Sequence, residues 1–129
     1  MNLPNDLRYT EEHEWIKIVG NIATVGITDY AQGELGELVY VEVETVGEDI
    51  KMGEVFGTVE AVKTTSDLYM PISGTITEFN PKLDENEGDD PTLINTDPYG
   101  AGWIIKIELS DLEELGALLD AATYEALVA

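Results

Sequence analysis

Short runs of alternating apolar and polar residues, separated by turn-forming residues, constrain the fold of this chain more than any other feature. Apolar side chains recur at every second position in six segments, 14–19, 22–27, 37–43, 54–61, 74–79 and 103–109. This period places successive side chains on opposite faces of a β-strand. Turn residues such as Gly20-Asn21 and Asn80-Pro81 separate the runs. Many short strands at this spacing predict a small barrel or sandwich of mainly antiparallel strands.

The same alternation predicts which side chains share a face of each strand. Three runs give the clearest sets, namely Val39, Val41 and Val43; Val55, Gly57, Val59 and Ala61; and Trp103, Ile105, Ile107 and Leu109. We expect one face of each strand to be buried, because half-buried antiparallel strands show this pattern.

Helices are predicted to be short and peripheral. Thr28 is expected to cap a helix over 28–35, and Ser110 with Glu113 has the spacing of a capping box that opens a helix over 110–115. Asp120 is expected to cap a C-terminal helix over 120–128, from which the side chains Tyr124, Leu127 and Val128 pack on the barrel.

Composition excludes several classes of function. The 129 residues carry a net charge of −21 and no cysteine. Disulfides, thiolate metal sites and cysteine nucleophiles are therefore excluded. So large a negative charge argues against nucleic acid and anionic membranes as partners, because no basic patch is present to displace counterions. The acidic stretch 83–93 begins like a calcium loop but lacks its closing glutamate, and we interpret it as a solvated loop.

The length predicts a single domain over residues 1–129. No apolar run approaches the ~20 residues of a membrane helix. The first ten residues have the character of neither a secretory signal nor a transit peptide. We expect a cytoplasmic prokaryotic protein and a monomer, with a mature organellar protein as the alternative location.

Lys63 is the candidate functional residue. It is one of five lysines among 27 acidic residues, and it lies between two strand-like runs, the second of which leaves it toward Pro71 and Gly74. This pattern predicts a primary amine at the tip of a hairpin. Taken alone, such a lysine is usually only a solvated surface residue, but an exposed amine can also be acylated with a cofactor.

The sequence around Lys63 favours the second interpretation, an acylated lysine. Six segments in order closely resemble the H proteins of the glycine cleavage system, namely 11–18 (EEHEWIKI), 23–32 (ATVGITDYAQ), 35–43 (LGELVYVEV), 59–74, 93–107 and 119–127 (LDAATYEAL). The resemblance runs from about Tyr9 to Leu127. Ala61 and Thr64 replace the family's common serine and alanine, and the loop at 85–90 is a few residues longer than usual.

The resemblance implies a flattened β-barrel or sandwich of the lipoyl/biotinyl type, a barrel-sandwich hybrid, with added helices, notably at the C-terminus. It also implies that lipoic acid is attached through an amide to Lys63 within the EAVKT segment at 60–64. The protein would then be a single lipoyl-carrier domain and a non-catalytic subunit of a multienzyme system.

The implied partners are four enzymes. A lipoate-attaching enzyme would modify Lys63. Glycine decarboxylase (P protein) would load the aminomethyl group of glycine onto the arm, aminomethyltransferase (T protein) would pass its one-carbon unit to tetrahydrofolate, and dihydrolipoyl dehydrogenase (L protein) would reoxidise the dithiol. The cofactor supplies this chemistry and the protein positions it.

Three carboxylates are candidates for supporting roles. Glu60 and Asp67 lie close to Lys63 along the predicted hairpin, where they contribute to recognition by the attaching enzyme or act only as solvating charges. The resemblance places Glu14 near a cleft that holds the loaded arm, which makes it the candidate partner of the cargo amine. Its alternative is a surface glutamate beside Trp15. We assign His13, the only histidine, no chemistry.

Other functions compete with this one. Lipoyl domains of 2-oxoacid dehydrogenases are usually joined to linkers, and biotin carriers favour methionine on both sides of the target lysine, where this chain has Val62 and Thr64. An H-like protein that acts in lipoate relay is the main alternative. An enzyme in its own right is disfavoured because the chain lacks a recognisable catalytic motif.

Overall fold

The computed structural model describes residues 2–129 as two antiparallel β-sheets with short helices around them. The strands are β1 (Arg8–Tyr9), β2 (Glu14–Val19), β3 (Ile22–Ile27), β4 (Leu38–Glu42), β5 (Asp49–Ile50), β6 (Val55–Ala61), β7 (Thr65–Tyr69), β8 (Gly74–Phe79) and β9 (Ile105–Leu109). The helices are α1 (Asp29–Leu35), α2 (Leu93–Thr96) and α3 (Ala121–Val128), with a 3-10 helix at Leu112–Ala117.

The larger sheet has the strand order β1-β2-β3-β9-β8-β5, and the smaller one has the order β4-β6-β7. Apolar side chains from both sheets form one buried core, to which Val25 and Ile107 contribute from the larger sheet and Val59 and Leu68 from the smaller. The two sheets do not close into one barrel. The prediction of a mainly β, flattened barrel-sandwich with peripheral helices is confirmed.

A second, smaller core lies under the C-terminal helix α3. It consists of Leu7, Tyr9, Trp15, Ala121 and Tyr124. The rings of Tyr9 and Tyr124 stack with centroids 5.0 Å apart. This cluster packs α3 against β1 and β2 at the edge of the larger sheet.

Two β-bulges correct the predicted faces. The pairing of β4 with β6 shifts register between Leu38 and Tyr40, so Val39 is 45% exposed while Leu38 and Val41 are both buried. A second shift, between Val55 and Gly57 in the pairing of β6 with β7, leaves Val55 exposed and buries Phe56. Each extra residue reverses the alternation that precedes it.

The helix caps are confirmed at two of three positions. The Thr28 hydroxyl accepts from the Ala31 N–H, and the Asp120 carboxylate accepts from the Thr123 N–H. The predicted cap at Ser110 is wrong, because the cap of the 3-10 helix is Asp111, whose carboxylate accepts from the Glu113 N–H. Asp111 lies two residues before that N–H, where a short side chain reaches it.

The C-terminal helix packs through fewer residues than predicted. Tyr124 is fully buried and Val128 packs against the second cluster, but Leu127 is 51% exposed. Among residues 2–129, no helix has the length and apolar character that crossing a membrane requires.

Candidate functional site

Lys63 lies at the tip of the β6–β7 hairpin. The turn is closed by the Ala61 N–H, which donates to the Thr64 carbonyl at 2.7 Å, and residues 62–64 are exposed. The Val62 N–H donates to the carbonyl of Glu37 at 3.1 Å, which braces the turn against the segment that follows α1. The tip is therefore exposed, and backbone hydrogen bonds hold it in place.

The side chain of Lys63 lies over Gly36. A Cβ atom added at Gly36 would lie 3.4 Å from Cε of Lys63 and 3.8 Å from its Nζ. Gly36 has a φ of 82°, which L-residues rarely adopt, and its N–H donates to the Gln32 carbonyl to end α1. One glycine thus ends the helix and supports the lysine stem.

A groove of about 220 Å³ runs between α1 and β7 beside this position. Its apolar lining includes Ile27, Ala31 and Leu35, and Leu35 is the neighbour of Gly36 in the chain. Asp67 lines the opposite wall, with Glu12 at one end. The groove combines an apolar floor with carboxylates, and its lining residue Leu35 directly precedes Gly36, near which the Lys63 side chain lies.

Glu14 is buried, with 2% of its surface exposed, so the alternative of a surface glutamate is wrong. Its Oε2 accepts from the Tyr69 N–H at 3.0 Å, and its Oε1 accepts from the Thr10 hydroxyl at 3.0 Å. Glu14 belongs to β2 and Tyr69 to β7, so the hydrogen bond that buries the carboxyl joins the two sheets.

Burial raises the pKa of the Glu14 carboxyl from 4.5 to about 8, although the hydrogen bonds from Tyr69 and Thr10 act in the opposite direction. Within residues 2–129 the one salt bridge joins Lys106 to Glu78, so no basic side chain compensates Glu14. Glu14 is among the residues that line a cavity of about 480 Å³, and Glu12 lines both this cavity and the groove between α1 and β7.

Glu60 and Asp67 both lie exposed on the hairpin below Lys63. Glu60 pairs with Thr65, and Asp67 pairs with Thr58 two residues along β6, so the two carboxylates share the outer face diagonally across the strands. Asp67 precedes Tyr69 by two residues along β7, and the backbone N–H of Tyr69 donates to Glu14. The structure thus groups Lys63, Glu60 and Asp67 on one hairpin, whereas Glu14 lies on β2 and meets the far end of β7 through the N–H of Tyr69.

His13 has a structural contact. Its backbone φ is 68°, and its Nδ1 lies 2.9 Å from the Tyr124 hydroxyl, which in turn lies 2.8 Å from the Thr28 hydroxyl. This chain links α3 to the cap of α1, the helix that forms one wall of the groove.

Sequence reasoning missed Gly36, Thr10 and Tyr69 as neighbours of the site. Gly36 alone carried a signal, since a glycine directly after a predicted helix marks a cap. Thr10 and Tyr69 carried none, because their contacts to Glu14 come from the loop before β2 and from a strand of the other sheet.

Comparisons with known proteins agree with this geometry. A family model described as "Glycine cleavage H-protein" matches residues 7–129. The glycine cleavage system H protein of Bacteroides fragilis is 52% identical over 99% of this chain and 98% of its own length. That of Symbiobacterium thermophilum is 56% identical over 97% of this chain and 94% of its own length.

A solved structure supports the same assignment. The crystal structure of a glycine cleavage system H protein from Mycobacterium marinum superimposes with a TM-score of 0.85 at 42% identity, covering 96% of this chain and 97% of the other. A family match over nearly the whole chain, together with this fold, leads to one conclusion. The chain belongs to the glycine cleavage H-protein family.

Proposed function

We propose that this protein is the lipoyl-bearing carrier of the glycine cleavage system, with lipoic acid attached through an amide to Nζ of Lys63. The observation that carries the proposal is the position of Lys63 at the exposed tip of a braced hairpin in a chain of the H-protein family. An amine at this position is accessible to an attaching enzyme and to successive partners.

The surroundings of Lys63 fit a long side-chain adduct. The end of the Lys63 side chain lies near Gly36, and the groove lined by the preceding residue, Leu35, has apolar walls suited to an aliphatic chain. Ile27, Ala31 and Leu35 would hold the apolar part of the arm when it lies along the protein. When attached, the lipoyl group supplies a reducible disulfide that takes up the aminomethyl group of glycine.

The carrier is proposed to visit glycine decarboxylase, aminomethyltransferase and dihydrolipoyl dehydrogenase in turn, after modification by a lipoate-attaching enzyme. Tethering supports this role, since docking of the carrier converts capture of a free cofactor into a local event. We treat residues 1–129 as one non-catalytic carrier domain. A monomer and a cytoplasmic location remain predictions.

Glu14 is proposed to bind the amine of the cargo when the arm lies along the protein. Each of its carboxylate oxygens accepts one hydrogen bond from the chain, which leaves acceptor capacity on both. A cation close to this carboxyl would favour its charged form, because an opposite charge lowers the pKa of an acid. Glu14 would then hold the amine by a charge-assisted hydrogen bond.

Glu60 and Asp67 are proposed to contribute to recognition by the attaching enzyme. Both lie on the exposed outer face of the hairpin that carries Lys63. The main alternative, a protein that relays lipoate to other acceptors, has no observation of its own in its favour.

Peptide-level mass spectrometry across residues 51–82 tests the attachment after expression with lipoate. We expect one lipoyl increment on Lys63 and none on Lys51, an exposed lysine beside a turn in the same peptide. Lys63→Arg should abolish both the increment and glycine cleavage with the purified partner enzymes, while Lys51→Arg should retain both. Glycine cleavage supported by Lys63→Arg would refute the proposal.

A further inference from the structure

The side chain of Asn95 makes three hydrogen bonds to a single distant segment. Its Nδ2 donates to Oε1 of Gln32 at 3.0 Å and to the Gly36 carbonyl at 2.8 Å, and its Oδ1 accepts from the Leu38 N–H at 3.0 Å. Both amide hydrogens and the amide oxygen are therefore used. The three partners lie in α1, at its cap Gly36 and at the first residue of β4, so they enclose the turn between α1 and β4.

This turn contacts the tip of the hairpin that carries Lys63. Gly36 lies beneath the lysine stem, and the carbonyl of Glu37 accepts the N–H of Val62, the residue before Lys63. Asn95 bonds the residues on both sides of Glu37. A continuous set of hydrogen bonds thus connects α2 to the hairpin tip, although Asn95 does not contact Lys63.

Apolar packing anchors α2 in addition to the hydrogen bonds of Asn95. Its neighbour Ile94 is fully buried in the main core, and Leu93 packs against the same core. Apolar burial of this kind holds a short helix without help from a half-buried amide. Loss of the Asn95 side chain should therefore release the turn between α1 and β4 and leave the rest of the fold intact.

We propose that Asn95 is a positioning residue for the arm on Lys63. It fixes the turn that sets the direction in which the lysine stem leaves the hairpin, toward the groove between α1 and β7. This inference rests on the proposed function, because it concerns how the carrier presents its arm. It adds Asn95, on α2, to the residues that position Lys63.

The test compares wild type with Asn95→Ala and with Thr96→Ala as a matched control. Thr96 is the next residue of α2, is exposed, and makes its one side-chain hydrogen bond to Thr92 within the same turn. Intact mass first establishes that all samples are fully lipoylated. Amide hydrogen exchange is then measured at Leu38 and Val62, and glycine decarboxylase assays give kcat and the KM for the carrier.

We expect Asn95→Ala to speed exchange at Leu38 and Val62 by about tenfold, since local opening frees both amides. The KM for the carrier should rise about fivefold, the factor that loss of one ordinary hydrogen bond corresponds to. The kcat should stay within about twofold, because the chemistry follows entry of the arm into the partner. Thr96→Ala should match wild type in every measurement.

Each other outcome is decisive. An unchanged KM in lipoylated Asn95→Ala would overturn the inference while leaving the proposed function intact, and so would a raised KM without faster exchange at Leu38 and Val62. A wild type that is neither lipoylated nor active would refute the proposed function and this inference with it. If Asn95→Ala fails to fold, Gln32→Ala, which removes one partner of Asn95, decides the question by the same measurements.

Discussion

The backbone N–H of Tyr69 donates to the carboxyl of Glu14 across the boundary between the two sheets, at 3.0 Å. The bond joins β2 to the outer edge of β7, the strand that leads away from Lys63. It holds an acidic side chain in an almost fully buried position without a basic partner among residues 2–129. The burial of Glu14 has two consequences, one for the stability of the protein and one for its function.

The structural consequence is a dependence of stability on pH. The pKa of Glu14 is about 8 in the folded protein and close to 4.5 when unfolded, so the folded state binds one more proton between these values. The free energy of unfolding therefore falls as pH rises through this window. Glu14→Gln cannot ionise and should become more stable relative to wild type by about a few kcal/mol between pH 5 and pH 9.

Urea denaturation at the two pH values measures this difference. Glu11→Gln is the matched control, because Glu11 is exposed in the same segment and lines the same cavity. The difference between Glu11→Gln and wild type should stay constant across the range. An equally constant difference for Glu14→Gln would show that the carboxyl is charged in the folded protein at both pH values.

The functional consequence concerns the lifetime of the loaded carrier. Glutamine keeps the shape of the side chain but carries no charge for a cationic amine, so Glu14→Gln should speed decay of the loaded form by about tenfold. Lipoylation of Lys63 should be unaffected, because the attaching enzyme acts before cargo is present. Release of formaldehyde and ammonia from the isolated loaded carrier gives the rate. Decay as slow as that of Glu11→Gln would exclude Glu14 as the partner of the amine.

The glycine beneath Lys63 predicts a contrast with another glycine of α1. Gly36→Ala places a side chain at a φ of 82° and should cost about 1–2 kcal/mol of stability. Gly33→Ala lies within the helix, where an added Cβ meets nothing within 4 Å outside the adjacent helix backbone, and should stabilise the protein by about 0.5–1 kcal/mol. Thermal unfolding of both variants measures the difference. A stabilising Gly36→Ala together with a destabilising Gly33→Ala would contradict the positions assigned to the two residues.

The sequence predicted the strands at 14–19, 22–27 and 74–79 with the bounds that the structure has, because turn residues such as Gly20-Asn21 and Asn80-Pro81 end the runs. It did not show the register shift between Ile76 and Glu78 in the pairing of β8 with β9. It failed at Val39 and Val55, where a bulge adds one residue to the strand and reverses the faces. A bulge depends on pairing with another strand, and a single run of alternating residues does not record it. The strands β1 and β5 were also missed, since two residues are too few to show a period.

The candidate site also combines features that the sequence predicted with features that it did not. The exposed tip at Lys63 follows from local turn chemistry and was predictable. The burial of Glu14 and the three hydrogen bonds of Asn95 depend on partners about 55–65 residues away in the chain, namely Tyr69 for Glu14 and residues 32–38 for Asn95. Long-range contacts of this kind become visible only when the two sheets and α2 are assembled.

The outer face of the hairpin yields the last prediction. Glu60 and Asp67 lie on the two strands of the hairpin below Lys63. Exposed charges of this kind act mainly on the rate at which partners associate. The double variant Glu60→Gln, Asp67→Asn should therefore slow lipoate attachment by about tenfold at low salt and by less at high salt. Stability should change by less than about 0.5 kcal/mol, because neither side chain is buried.

Glu85→Gln combined with Glu87→Gln is the matched control, since it removes the same number of negative charges from the exposed loop at 84–90. Mass spectrometry of the attachment reaction over time gives the rates. A loss shared equally by both double variants would assign the effect to the net charge of −21 as a whole. A loss confined to Glu60 and Asp67 would locate recognition on the hairpin itself, because only these two carboxylates lie on the strands that carry the acceptor lysine.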